Sequence, residues 1–279
     1  MMKSKPPPKK ANVASNNNGI SAFIFDIIQG VGKVDVWFTF AMDDMQQRYR
    51  RSALGLIWIM LSYAIFVGGV SFFFGAFSET SPDRFVAYVA IGYAIFAFLM
   101  AQIQDGCQVF VNATTWIKSV SMPLSIHVLR SIFRAIFTLV LNLSVAFCAM
   151  LIMGWRPELV ALLCLPAFLV YLINAVAIQY IFGLVAARYR DVAHLTNSIT
   201  RIMIFVTPVL WVREELTGAR AIVADINPLT HYIEIVRAPL LGDVARISSW
   251  GVVITITVIV WIIAVVAGTF MRRRLAYWI

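Results

Sequence analysis

Three histidines, three cysteines and one Gly-Lys pair are the residues whose types invite a chemical reading in this 279-residue chain. His127, His194 and His231 stand apart, without the i, i+4 spacing that sets two imidazoles on one helix face as metal ligands. Cys107, Cys148 and Cys164 are odd in number and lie in or beside apolar sequence. They offer neither a disulfide framework nor ligand spacing, and read as small hydrophobes. Gly32-Lys33 lacks the upstream glycine and the following Ser or Thr of a phosphate-binding loop. No serine or cysteine has a nucleophile-elbow context. The expectation is therefore no catalytic residue, no metal and no cofactor in this chain.

What remains is charge set against apolar sequence. Arg48, Arg50 and Arg51, with Tyr49 among them, abut residues 52–78, which carry no charged side chain. That stretch exceeds the roughly 20 apolar residues needed to cross a bilayer core, and a basic flank orients such a helix. Arg201 is the one charge between Asp191 and Arg213. An ionisable residue at membrane depth is a functional-site candidate by default.

The elements that must position these residues are helices in a membrane. The chain is 61% hydrophobic and 13% charged, with a mean hydropathy of +0.82; soluble domains average about 45–50% and about 25%. Long continuous apolar runs indicate helices rather than a barrel. The net charge of +9 comes mostly from residues flanking those runs, which assigns it to topology and anionic lipid, with no nucleic-acid partner.

Residues 1–32 are read as a disordered cytoplasmic segment: Pro6-Pro7-Pro8 and Asn16-Asn17-Asn18 cannot build a core. Residues 20–28 are too short for a signal peptide and carry Asp26. In residues 33–52, Val34, Trp37, Phe38, Ala41, Met45 and Tyr49 recur at helical steps, giving an interfacial amphipathic helix. The transmembrane domain then fills 53–279. Its expected spans are 54–77, 85–104, one within 125–155, 159–185, 192–212 and 250–270, with a polar loop or short helix at 105–123. The fifth contains Pro208 and is required by parity, because both basic termini belong on the cytoplasmic side. Residues 213–249 are then an outer segment, dipping back as short helices broken by Pro228 and Pro239, although four arginines there oppose the charge rule.

Two stripes are candidate pathway walls. On span one, Phe66, Phe73 and Phe77 share a helical face, with Trp58 nearer the basic flank; on span five, Arg201 and Phe205 do, with Trp211 beside them. Aromatic faces stack on sugar rings, and Arg201 suits a phosphate or acidic sugar. The plainer assignment for such aromatics is a lipid or helix contact.

RYRRSALGLIW at 48–58, YRDVAHL at 189–195, VTPVLW at 206–211, INPLTHYIEIVRAPLLGD at 226–243 and RRRLAYWI at 272–279 together resemble membrane subunits of ABC-2 type ABC exporters. The likeness is to those exporting O-antigen, capsule or teichoic-acid polysaccharides. Leu56 and Tyr63 stand where relatives often carry proline. The resemblance implies an all-α six-span subunit in the bacterial cytoplasmic membrane, forming a homodimer with two ATPase subunits that bind ATP and Mg. It implies a first coupling element at Trp116, Lys118 and Pro123, and a second at Arg188, Arg190 and Asp191. It further implies an outer gate at Asn227, Pro228, Tyr232 and Arg237, and a lipid-linked polysaccharide first met near Arg48–Arg51. Alternatives are export of a drug or simple lipid, and a membrane-embedded glycosyl- or acyltransferase. The last would need a His or acidic cluster at a membrane face, and the sequence offers none.

Overall fold

A computed structural model describes residues 19–279 apart from 51, 53 and 157, and at residue 49 the backbone alone. In chain order the α-helices are α1 (Gly19–Gly32), α2 (Val34–Tyr49), α3 (Ile57–Phe74), α4 (Pro82–Val109), α5 (Thr114–Ser119) and α6 (Ser125–Ile152). There follow α7 (Cys164–Arg188), α8 (Asp191–Val206), α9 (Ala219–Ile226), α10 (Pro228–Leu240), α11 (Ile247–Met271) and α12 (Leu275–Trp278). No strand occurs among the described residues.

Five helical stretches are long and apolar enough to cross a membrane: Ile57–Phe77, Pro82–Val109, Ser125–Ile152, Leu159–Arg188 and Ile247–Trp278. They fall on expected spans one, two, three, four and six. Helix α4 is the axis of the bundle, packing against α3, α6, α7, α8 and α10. It starts with Pro82 at its first position, where a missing N–H costs nothing, and Asp83 in its first turn, where a carboxylate complements the helix dipole. Its Ile91, Ile95 and Phe98 meet Tyr171 of α7 and Ile233 and Ile235 of α10 in the main core. Against α7 the approach is close. A Cβ on Gly183 would lie 2.7 Å from Val109 Cγ1, and one on Gly106 3.0 Å from Gln179 Cα. Small residues permit this proximity, which drives helix association where lipid removes the hydrophobic advantage.

The expected fifth span is not one continuous helix. α8 stops at Val206, and residues 207–210 form a buried turn around Pro208. Sixteen residues reach about 24 Å, short of the roughly 30 Å hydrocarbon core. Pro228 opens α10 as expected of a helix start, but Pro239 lies inside α10 near its end and does not break it.

The N-terminal expectation is also corrected. Residues 19–32, read as disordered, form α1; residues 1–18 lie outside the description. The reason is Asp26, whose side chain is fully buried. It accepts hydrogen bonds from the Leu124 and Ser125 N–H groups, both at 2.9 Å, from Arg272 Nη2 at 2.7 Å, and from the Tyr180 hydroxyl. The Ser125 hydroxyl and Arg272 Nη1 in turn donate to the carbonyls of Asp26 and Ala22. Phe23 is buried against Tyr180, at 5.0 Å between ring centroids. One carboxylate thus joins α1 to the start of α6, to α7 and to the end of α11.

Candidate translocation and coupling sites

One end of the bundle is built around the break after α8. Asn227 caps α10 by accepting from Leu229 N at 3.0 Å, and its Nδ2 donates to Thr207 Oγ1 at 2.9 Å. Arg237, buried on α10, donates from Nη1 to the Pro208 carbonyl at 2.6 Å, and its guanidinium lies 3.5 Å above the Tyr88 ring of α4. A proline break frees backbone groups that lipid cannot satisfy; here Arg237 satisfies the Pro208 carbonyl. Tyr232 accepts from Tyr171 through its carbonyl and from Asn174 Nδ2 through its hydroxyl at 3.1 Å. The residues expected as an outer gate, with Pro228 starting their helix, are brought together as struts holding the fifth segment in two pieces.

Three of the four arginines that opposed the charge rule are individually matched. Arg213 pairs with Asp225, Arg246 lies 3.7 Å from Glu234, and Arg237 is held as above. Arg220 borders the apolar cavity described next. Glu215 fastens the connection after the break to the α3–α4 loop. Its Oε1 accepts from Ser78 Oγ at 2.5 Å, from the Glu79 and Thr80 N–H groups at 3.0 and 3.1 Å, and from Thr80 Oγ1 at 3.0 Å. Desolvation pushes this carboxyl up, and those hydrogen bonds outweigh it, holding it below the usual carboxylate range.

The pathway candidates divide. On α3, Trp58 and Phe73 are exposed, as is Phe77 in the turn just after it, whereas Phe66 stacks on Tyr93 of α4 at 4.0 Å. Phe205 is exposed on α8, and Trp211 Nε1 donates to its carbonyl at 3.1 Å. Both border an apolar cavity of about 470 Å³ with Leu216 and Val223. Arg201 is exposed and has no hydrogen bond or ion pair among the described residues.

At the opposite end, Trp116 of α5 lies 5.1 Å from Phe40 of α2, and Lys118 donates to the Ile279 carbonyl. Pro123 is buried just before α6. Arg188 ends α7 under the rings of Tyr189 and Trp278, at 5.0 and 5.5 Å. Arg190 and Asp191 are exposed at the start of α8. The two expected coupling elements are therefore bridged by the α12 segment, a link that sequence reading missed.

Of the basic cluster beside span one, Arg50 is exposed and Arg48 borders a polar cavity with Asp44, Asp105, Arg130 and Arg134; Arg51 and the Tyr49 side chain lie outside the described residues. Asp44 of α2 is clasped by Arg130 and by Arg134 Nη1 at 3.0 Å. The spacing of Arg130 and Arg134, one helical turn apart, was the available signal for this cluster.

The sequence profile of the ABC-2 type transporter family matches residues 36–241, well over half of the chain. The chain belongs to the ABC-2 type transporter family. It is a multi-pass membrane transport protein, and the match runs from α2 to just past α10. This transporter is similar to two proteins named O-antigen export system permease protein RfbA. The one from Myxococcus xanthus is 20% identical over 190 residues, covering 67% of this chain and 72% of the relative. The one from Klebsiella pneumoniae is 20% identical over 235 residues, covering 84% and 89%. In this ABC-2 transporter, α1 and α12 lie outside the family match, yet the Asp26 knot and the α12 bridge tie both to helices within it.

Proposed function

We propose that this ABC-2 transporter is the permease subunit of an exporter that moves a lipid-linked or anionic polysaccharide across the bacterial cytoplasmic membrane. A separate ATPase subunit binds ATP and Mg and supplies the energy. The observation that carries the reading is the naming of both relatives as O-antigen export permeases, beside a family match over residues 36–241 that takes in the gate and coupling candidates.

The geometry supports it in three ways. Helix α3 turns an uncharged aromatic face outward, which suits a smooth wall shared with a second copy and a polymer that must slide. The fifth segment is split beside an outer helix, which suits a gate. The coupling elements are joined at one end, which suits docking of paired ATPases. In this reading both termini are cytoplasmic, α8 with residues 207–212 makes the fifth of six crossings, and two copies place α3 and α8 around the path.

The test is export itself. A cell lacking this chain loses surface polysaccharide and regains it with the wild type, but not when the partner ATPase is catalytically dead. Arg201→Ala lowers surface polysaccharide while leaving the amount of protein in the membrane unchanged. Wild-type export with the dead ATPase would sink the reading.

A further inference from the structure

The polar cavity behind the basic cluster is enclosed by α2, α4 and the first turns of α6. It has a volume of about 200 Å³ and is bordered by Asp44, Arg48, Asp105, His127, Arg130 and Arg134. A second cavity of about 220 Å³ shares Arg48, Asp105 and Arg134 and extends along α4 and α6 to Asn142. Each far exceeds the roughly 10–15 Å³ that admits one water.

Three features of its wall point to a ligand. Three arginines face two carboxylates, an excess of one positive charge. Asp44 is already taken by Arg130 and Arg134, which orients their forks, while Arg48 has neither hydrogen bond nor ion pair among the described residues. Both ring nitrogens of His127 and the Ser131 hydroxyl are buried with no hydrogen-bond partner. His127 and Ser131 are 2% and 1% exposed, so bulk water does not serve them. Buried polar groups left unpaired are costly, and a cluster of them around a cationic space calls for an acceptor.

We infer that this cavity binds a phosphate-class oxyanion. Arg48 and the free edges of Arg130 and Arg134 supply charge, and His127 and Ser131 supply neutral hydrogen bonds. Asp105 opposes an anion pressed against α4, so the favourable position is at the α6 wall. Guanidinium forks pair with two oxygens at a time. With further donors on a third side, the arrangement suits a tetrahedral group better than a planar carboxylate. The cavity adjoins α2, read as an interfacial helix, at the depth of lipid head groups. The inference needs that membrane placement and does not need the export reading.

The source is either a lipid head group or free phosphate, and one experiment separates them. The full chain is held in phosphatidylcholine nanodiscs and titrated with phosphatidic acid or with inorganic phosphate. Binding is read by native mass spectrometry and by the ³¹P linewidth, without any ATPase or transport. The wild type is expected to retain phosphatidic acid saturably above the phosphatidylcholine background. The apparent affinity should fall about tenfold in Arg48→Gln, which removes one charged hydrogen-bonding partner. Ser131→Ala, which breaks no bond within the chain, should weaken it less, and Arg48→Lys should lie between wild type and Arg48→Gln. Saturable binding of phosphatidic acid with no effect of inorganic phosphate assigns the site to a head group; full competition by inorganic phosphate assigns it to the free ion. No saturable phosphorus ligand in the wild type, or equal binding by wild type and a folded Arg48→Gln/Ser131→Ala double variant, overturns the inference. Loss of surface polysaccharide with binding intact, or the reverse, keeps this result separate from the export reading.

Discussion

Glycines on α3 and on α7 occupy opposite surroundings. A Cβ on Gly183 of α7 would run into Val109 and Phe110, whereas one on Gly68 or Gly69 of α3 would meet nothing within 4 Å. The same contrast holds for whole helices: 72% of the most apolar stretch of α4 is buried within the chain, and 11% of that of α3. Both are equally hydrophobic, with mean hydropathy 2.0. Hydropathy therefore says that a helix enters the membrane, and packing says what it does there. The α4 side is a jigsaw in which each volume is specified. The α3 side is a bare wall, available to lipid, to another copy or to cargo.

That contrast can be broken most severely on the packed side. Asp26→Ala should strip the α6 start of its acceptor and leave Arg272 unpaired, costing about 3–5 kcal/mol, the range for breaking a buried ion pair. Detergent thermal unfolding and cleavage near α1 by added protease would measure it; a wild-type profile would mean the knot adds no stability. Next comes Gly183→Val, expected to cost about 1–3 kcal/mol by overpacking against α4.

The bare side should answer differently. Gly69→Ala is expected to be neutral or stabilising by up to about 1 kcal/mol, since it removes only helix-interior flexibility. Phe73→Ala should stay within about 0.5 kcal/mol of wild type. Both should nonetheless lower export. Equal unfolding midpoints with equal export would mean that α3 faces lipid alone.

The smallest effect concerns pH. Glu215 has a carboxyl held below its unfolded value, so its contribution is present above the unfolded pKa and disappears as pH falls through the lower, folded one. Amide protection at Glu79 and Thr80 should therefore decline in acid, and Glu215→Gln should show weaker protection already at neutral pH. A pH-independent pattern matching the variant would show that the tether does not depend on charge.

The five long spans were legible because an unbroken apolar run of about 20 residues is enough to identify one. The fifth segment was legible only as a crossing with a proline in it. That its break is held open by Arg237 and Asn227 depends on contacts 29 and 20 residues away, which no local pattern reveals. Likewise Asp26 looked like a lone charge that weakens an apolar run, because each of its partners is remote. Arg237 was read as part of a gate from its sequence context, which gave no sign of its place over Tyr88. Phe66 was placed by spacing on the same face as Phe73, and spacing gave no sign that its ring stacks on Tyr93. Spacing assigns a face; it does not say whether a neighbour already covers that face.

The Asp26 knot also has a timetable. Its partners follow it by 98, 99, 154 and 246 residues. At about 5–20 residues per second of synthesis, Arg272 is made roughly 12–50 s after Asp26. Until then the carboxylate can meet the donors of α6 and α7 but not its cation, and the knot is incomplete. Closure of the knot is thus a late event of biogenesis, reporting that the last long helix has arrived beside the first.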